Sequence, residues 1–173
     1  MLKWSFVYYR RFDILKGPRG FTLIELIMVI ILLGVVSVTA LPKFFDMKSN
    51  ARTASLKAVK GTMRTAVDFT YSKSAIKGNH NLTAGSDVYV EINGNPVSIK
   101  FGTPLANYDG DKGSWDDLIH LDYEVFSTKI VSGHFVVFLK GSAVPISLND
   151  ECIVLYKQAN KIENPPKIKV NGC

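Results

Sequence analysis

"FTLIELIMVIILLGVVSVTALP", residues 21–42, decides how this chain is organised. From Phe21 to Leu41, a helix rising 1.5 Å per residue would be about 30 Å long, enough to cross the hydrocarbon layer of a membrane. Glu25 breaks the apolar run with a carboxylate, which costs about 2.5–3.5 kcal/mol at membrane depth. An ionisable residue in such a segment is functional by default, so the carboxylate needs a partner.

Charge along the chain argues against a nucleic-acid-binding protein. The net charge is +6, but the first 20 residues hold five basic residues and one acidic residue. The remaining chain has 16 basic and 14 acidic residues. This balance does not give the excess of positive charge that a nucleic-acid-binding surface needs. Four lysines still gather near the end of the sequence: Lys157, Lys161, Lys167 and Lys169. A solvated surface is the favoured interpretation of these residues, and salt-sensitive DNA binding is the open alternative.

The two cysteines, Cys152 and Cys173, both follow the apolar run. An even count in an exported domain predicts one disulfide, which would close a loop of about 20 residues and stabilise the fold by about 3 kcal/mol. Two free thiols are the alternative. A disulfide implies an oxidising compartment, so the region after the apolar run is expected outside the cytoplasm. The basic residues flanking the run are equal in number on its two sides and do not orient it.

A conventional secretory signal is one interpretation of this N-terminal region. Val38 and Ala40 have the small-residue pattern of a signal-peptidase site, with basic and apolar stretches before them. Cleavage after Ala40 would release a secreted binding domain without the apolar helix. This interpretation leaves Glu25 without a role.

Gly20 followed by "FTLIEL" resembles the signature of type IV pilins. The resemblance implies that a dedicated prepilin peptidase cuts between Gly20 and Phe21 and methylates the new N-terminus at Phe21. It also implies that the apolar helix is kept and that Glu25 pairs with the terminal amine of a neighbouring subunit in a filament. A buried charge loses much of its penalty when it is paired in this way.

Gly34 and Pro42 fit the same family pattern, in which they flank locally loosened helix in the filament. Pro42 lacks the N–H that would bond the Val38 carbonyl, and Gly34 costs about 1 kcal/mol relative to alanine. Three parts are therefore expected: a leader at 1–20, a membrane and filament-core helix at 21–42, and an exported domain at 43–173 with a C-terminal disulfide loop. The long leader suggests that translation starts at Leu15.

Beyond Pro42, apolar residues at helical spacing predict that the helix continues to about residue 75 and becomes amphipathic: Leu56, Val59, Met63, Val67 and Tyr71. A connector is predicted at 74–86, with a weak glycosylation-type sequon at Asn81. A β-hairpin is predicted around Asn93 and Gly94. Further strands are predicted in "YEVFST", "HFVVFLK", "VPISL", "ECIVLYK" and "KIKV". These elements predict an α+β type IV pilin fold, with the long helix packed on an antiparallel sheet.

The segment "NYDGDKGSWDDLIHLD" resembles a calcium loop only in part. Asn107, Asp109 and Asp111 alternate correctly, but Lys112 and Leu118 replace the required glycine and glutamate. Ser114 and Asp117 have capping-box spacing instead, which predicts a short helix. The three histidines are far apart, and no phosphate-binding loop or nucleophile elbow occurs, so no metal, cofactor or enzymatic activity is predicted.

Residues 51–79 are similar to the corresponding stretch of mannose-sensitive haemagglutinin (MSHA) pilins, and "ALPKFFDMKSNAR" just before them also resembles that group. The resemblance implies a subunit that is first held in the inner membrane, is passed to the pilus assembly machinery, and self-assembles into a helical surface filament for adhesion. It assigns no receptor to any residue. A type II secretion pseudopilin, which shares the cleavage site and the helix, is the alternative.

Overall fold

A 55-residue helix, α1 (Leu23–Lys77), begins the fold. The structure is a computed structural model that describes residues 20–107 and 115–173. The chain divides into two compact units, Met1–Lys43 and Phe44–Cys173. Gly34 and Pro42 both lie inside α1, and the helix is continuous through them. Loosening between these two residues therefore stays a prediction for the filament.

The α1 residues of the first unit are uncovered. Side chains at 21–39 are all exposed, although most of them are large and apolar. An 18-residue window of this helix has a mean hydropathy of 2.7, so by length and composition it could cross a membrane. Signal sequences near an N-terminus share these properties.

The later part of α1 is amphipathic, as predicted. Leu56, Val59, Met63 and Val67 are buried, together with Ala66. They form the principal hydrophobic core with residues of the four-stranded sheet described below, among them Phe135, Val137, Val154 and Tyr156. Packing against this sheet, rather than helix propensity alone, fixes this part of the helix.

Tyr71, the last residue of the predicted apolar stripe, lies within α1 but is 46% exposed. Thr70 and Ser74 are buried near the end of α1 instead. Both hydroxyls are satisfied: Thr70 donates to the Ala66 carbonyl at 2.7 Å and Ser74 to the Asn79 side chain at 2.8 Å. The Tyr71 ring lies edge-on to His80 with 6.0 Å between ring centroids.

α1 ends in a Schellman motif. Gly78 has a φ of 78°, which glycine adopts without strain. Its N–H donates to the Ala75 carbonyl, and the Asn79 N–H donates to the Ser74 carbonyl, both at 3.1 Å. The side chain of Asn79 then donates to the Tyr89 carbonyl at 3.0 Å and joins the helix end to the first strand.

A three-stranded antiparallel sheet follows, with β1 (Tyr89–Ile92), β2 (Asn95–Lys100) and β3 (Thr103–Pro104). The predicted hairpin is confirmed, because Asn93 and Gly94 join β1 to β2 with φ values of 52° and 85°. β3 was not predicted, since two residues that include a proline give no strand signal.

After α2 (Trp115–Leu118), the second sheet has the order β4-β5-β6-β7, with β4 (Phe126–Val131), β5 (His134–Leu139), β6 (Ile153–Lys157) and β7 (Lys167–Asn171).

Trp115 stacks on Phe135 at 5.1 Å between centroids. The Tyr156 hydroxyl donates to the Pro104 carbonyl at 2.7 Å, which ties the two sheets together. Burial raises the pKa of Tyr156. The α+β fold is thus confirmed, with two sheets rather than one.

The strand predicted in "VPISL" is wrong. Residues 144–148 form an irregular segment, because the backbone N–H groups of Ile146 and Ser147 donate to the Asp150 carboxylate at 2.8 and 2.9 Å. These two hydrogen bonds lower the pKa of Asp150, and the one from Ser147 has the larger effect. Leu148 packs on a small apolar cluster of the four-stranded sheet, formed by Val131, Val136, Phe138, Ile153 and Leu155.

The predicted short helix exists as α2. Its proposed cap Ser114, with Asp109, Asp111 and Lys112 of the rejected calcium loop, lies outside the described residues. Within residues 20–107 and 115–173, no group of three His, Cys, Asp or Glu side chains could hold a metal ion.

Candidate functional site

Gly20 and Phe21 precede the helix and are not packed against the described part of the chain. Phe21 exposes 89% of its surface. A Cβ added at Gly20 would meet no atom within 4 Å. The fold therefore gives no reason for a glycine at this position, and a requirement for it must come from outside the folded chain.

Glu25 has a partner in its own helix. Thr22 precedes the first helical residue, and its N–H and its hydroxyl both donate to Glu25 Oε2 at 2.8 Å. In return the Glu25 N–H donates to the Thr22 hydroxyl at 3.3 Å. This is a capping box, in which an N-cap threonine and a glutamate three residues later satisfy each other's free N–H groups.

The capping box was missed at the sequence level, where Glu25 was assigned only to a terminal amine. The Thr-x-x-Glu spacing of Thr22 and Glu25 was the available signal. Both Thr22 donors use the same carboxylate oxygen, and a carboxylate accepts about four hydrogen bonds. Glu25 can therefore cap its own helix and still accept a hydrogen bond from a second group.

The polar side chains between Glu25 and Pro42 are satisfied within the helix. Ser37 donates to the Leu33 carbonyl at 2.7 Å, and Thr39 donates to the Val36 carbonyl at 3.0 Å. Gly34 has open space around it. Such a helix carries no unsatisfied polar side chain here, so its apolar surface suits a membrane or a helix bundle.

The second predicted site is the disulfide, and the structure joins Cys152 to Cys173 with their Cα atoms 4.4 Å apart. The Cys152 N–H also donates to the Gly172 carbonyl at 3.0 Å. The Asn171 side chain donates to the carbonyls of Leu148 and Asp150 at 3.0 and 2.9 Å. The disulfide thus links the start of β6 to the end of β7, and the Asn171 hydrogen bonds hold the irregular segment before β6.

Cys173 is also fastened to α1. Its N–H donates to the Thr53 hydroxyl at 3.0 Å, and its carbonyl accepts a hydrogen bond from the Ser49 hydroxyl. Ser49 and Thr53 are four residues apart and share one face of the helix. We call these contacts the Cys173 clasp. They were not predicted, because two hydroxyl residues on a helix give no signal of a distant backbone partner.

The lysines near the end of the sequence lie partly together. The β6–β7 register places Lys157 directly opposite Lys167, and Lys169 follows on the same face of β7. All three are exposed, which agrees with a solvated surface. Exposed lysines on an edge strand also discourage unwanted strand pairing.

A comparison with protein families points to the same N-terminal segment. Residues 15–41 match the model of the prokaryotic N-terminal methylation motif. The chain is 40% identical over 48 residues to the type IV narrow pilus major component PilA5 of Thermus thermophilus. That match covers 28% of this chain and 41% of the relative. No solved structure shows significant similarity to the chain. The chain is therefore similar to a type IV pilin over part of its length, and it carries a prokaryotic N-terminal methylation motif.

Proposed function

We propose that this chain is the structural subunit of an MSHA-like type IV pilus, a surface filament that serves in adhesion. One observation carries the proposal: an uncovered apolar helix, headed by the Thr22–Glu25 capping box, lies within a methylation motif. An apolar surface of this size has to be covered by lipid or by other helices. The chain first spans the inner membrane once and then enters the filament.

Processing takes place at the exposed start of this segment. Prepilin peptidase cuts between Gly20 and Phe21, and Phe21 becomes the N-methylated first residue. The exposure of Phe21 and the open space around Gly20 support this step, because neither residue has to be unpacked first. Thr22 remains the N-cap after cleavage, so the helix keeps its capped start.

Assembly adds a new partner to Glu25. The carboxylate of one subunit accepts the Phe21 amine of its neighbour, while the Thr22 hydroxyl and N–H keep it oriented along the helix start. A charge-assisted hydrogen bond in the dry interior of a bundle is short and strong, whereas an unpaired carboxylate there is costly. Each incoming helix is therefore held at one axial position.

The exported unit carries the filament surface. The disulfide suits an oxidising compartment outside the cytoplasm. PilA5, of which this chain covers 41%, is the major component of a type IV narrow pilus, which supports a filament subunit without selecting the MSHA branch. Adhesion is proposed here from the resemblance of residues 51–79 to MSHA pilins.

Material sheared from cells tests this proposal. Intact mass and N-terminal sequence should show N-methyl-Phe21 as the first residue of a filament protein, and replacing Gly20 with tryptophan should leave uncut precursor in the membrane. A mature chain that starts at Leu41 would support the secreted binding domain instead. Correct cleavage without any surface fibre would support the pseudopilin alternative.

A further inference from the structure

Two features of the Phe44–Cys173 unit have no role in the proposed function. One is Phe45, which exposes 72% of its surface, and the other is an apolar groove beside Tyr71. We propose that Phe45 of one copy of this chain binds in this groove of a second copy. The inference rests on the proposed function, because it adds a contact between subunits of the same filament.

Phe45 lies on the face of α1 that packs against its own domain. Leu56 and Met63 follow it by about three and five helical turns and are fully buried. Ser49, one turn after Phe45, contacts Cys173 in the clasp. The face of α1 that packs on the domain therefore continues for one turn on the N-terminal side of Ser49, where the domain no longer covers it. An aromatic side chain in this position gains most by burial against another chain.

The groove has the size and chemistry for one aromatic ring. Its volume is about 190 Å³. Tyr71, Phe101, Ile162 and Pro165 supply apolar and aromatic surface, and Arg64 and Lys161 supply two cations. All of these residues lie in the described part of the chain.

The charges of the groove favour a ring over an anion. Cations attract the negative face of an aromatic ring. Asp68 also lines the groove, and it holds the Arg64 guanidinium at 3.2 Å, so an anionic ligand would meet a carboxylate. The Arg64 and Asp68 side chains are 63% and 60% exposed, which makes this ion pair weak and easy to rearrange.

Phe45 cannot reach the groove of its own chain. Arg64 and Tyr71 lie on the same helix, roughly 30 and 40 Å further along it at 1.5 Å per residue. The occupant must come from a second copy whose parallel helix is shifted by about that distance. Because the two contacting surfaces differ, the contact is heterologous and can repeat without closing, which is the geometry of a filament.

Cross-linking between two co-expressed chains tests the contact. One chain carries Phe45→Cys and the other Ile162→Cys, whose side chain is 62% exposed at the groove. Oxidised filaments that contain both chains should give a heterodimer on a non-reducing gel, because a disulfide needs Cα atoms within about 7 Å. Filaments of the Ile162→Cys chain alone should give none, and the Phe45→Cys chain alone should form few filaments because it lacks the aromatic ring. Mixed filaments without heterodimer would overturn the inference.

Removing the aromatic ring gives a second measurement. Phe45→Ala leaves the fold of the subunit intact, since the ring is exposed, and should reduce sheared filament mass at least tenfold. Phe69→Ala is the matched control, because Phe69 is also an aromatic residue on α1 and is 49% exposed. Wild-type filament mass from Phe45→Ala would overturn the inference. If the wild-type chain itself formed no filaments, the proposed function would fall first.

Discussion

The two parts of α1 show how one helix can be built for two different surroundings. Before Pro42 its apolar side chains are exposed all round, whereas from Leu56 onward one stripe is buried and the other face is charged. A helix that is apolar all round requires lipid or other helices, and an amphipathic helix requires a domain of its own. In the proposed function the first part serves assembly through lipid and helix contacts, whereas the second part contributes to the core of the domain.

Glu25→Val gives the largest expected effect and acts only on the first part of the helix. It removes the carboxylate that caps Thr22 and that we propose pairs with the neighbouring amine, so cleaved subunits should remain in the membrane with few or no filaments. Insertion and cleavage should persist. The measurement is sheared pilin compared with membrane-bound mature pilin.

Glu25→Gln is the matched variant, because glutamine also fits the third helical position of a capping box but carries no charge. It should fail in assembly as Glu25→Val does. Normal filament numbers in either variant would show that charge pairing is not the role of Glu25.

Met63→Ala and Leu33→Ala compare the two parts of the helix directly. Met63 is fully buried, so its truncation should lower the free energy of unfolding by about 2–5 kcal/mol. Leu33 is 60% exposed, and its truncation should leave the unfolding of the domain unchanged. Denaturant titration of the purified full chain in detergent, followed by tryptophan fluorescence, checks both. Equal losses would mean that α1 is one cooperative unit.

Loss of the disulfide should cost about 3 kcal/mol of stability, because the reduced unfolded chain is less constrained. Cys173→Ser and Cys152→Ser should have similar effects on subunit yield and none on membrane insertion, since the bridge is confined to the second unit. Wild-type material that is denatured without reductant should resist alkylation. Labelling of both cysteines in that material would contradict the pairing.

Asp150 gives the smallest effect, through pH. Its N–H donors lower its folded pKa below the ordinary value of 3.8, so the unfolded chain binds the proton more tightly. The stability that it contributes is complete above pH 3.8 and is lost as the pH falls through the lowered value. Asp150→Asn should flatten this part of the stability profile in acid titrations. An unchanged slope would mean that the turn does not depend on the ionised carboxylate.

Local patterns predicted most of the fold, and contacts distant in sequence were the main omissions. The helix, the Asn93–Gly94 hairpin and four strands follow from periodicity and turn residues. "VPISL" failed because the Asp150 carboxylate binds backbone N–H groups that a strand would need. Thr70 is buried whereas its neighbour Tyr71 is 46% exposed, a difference that depends on tertiary packing and that no local pattern contains.

The candidate site divides in the same way. Gly20, Phe21 and Glu25 were found from a contiguous motif, and that motif also contained the spacing of the capping box. The Cys173 clasp joins residues separated by 120 positions or more, and hydroxyls on a helix are too common to indicate it. The groove beside Tyr71 likewise exists only after three separate segments have come together.

The Cys173 clasp has a mechanical consequence for a fibre under load. Tension applied along α1 would pass into the globular part through the buried apolar stripe of the helix. At the N-terminal end of that stripe it would pass through the Ser49 and Thr53 hydroxyls. The covalent bridge shares that force between β6 and β7, so neither strand can be peeled away alone. The clasp would then be the first contact to break, because its two hydrogen bonds can break and re-form while the sheet stays folded. A filament built from such subunits would lose the hydrogen bonds of the clasp before its domains unfold.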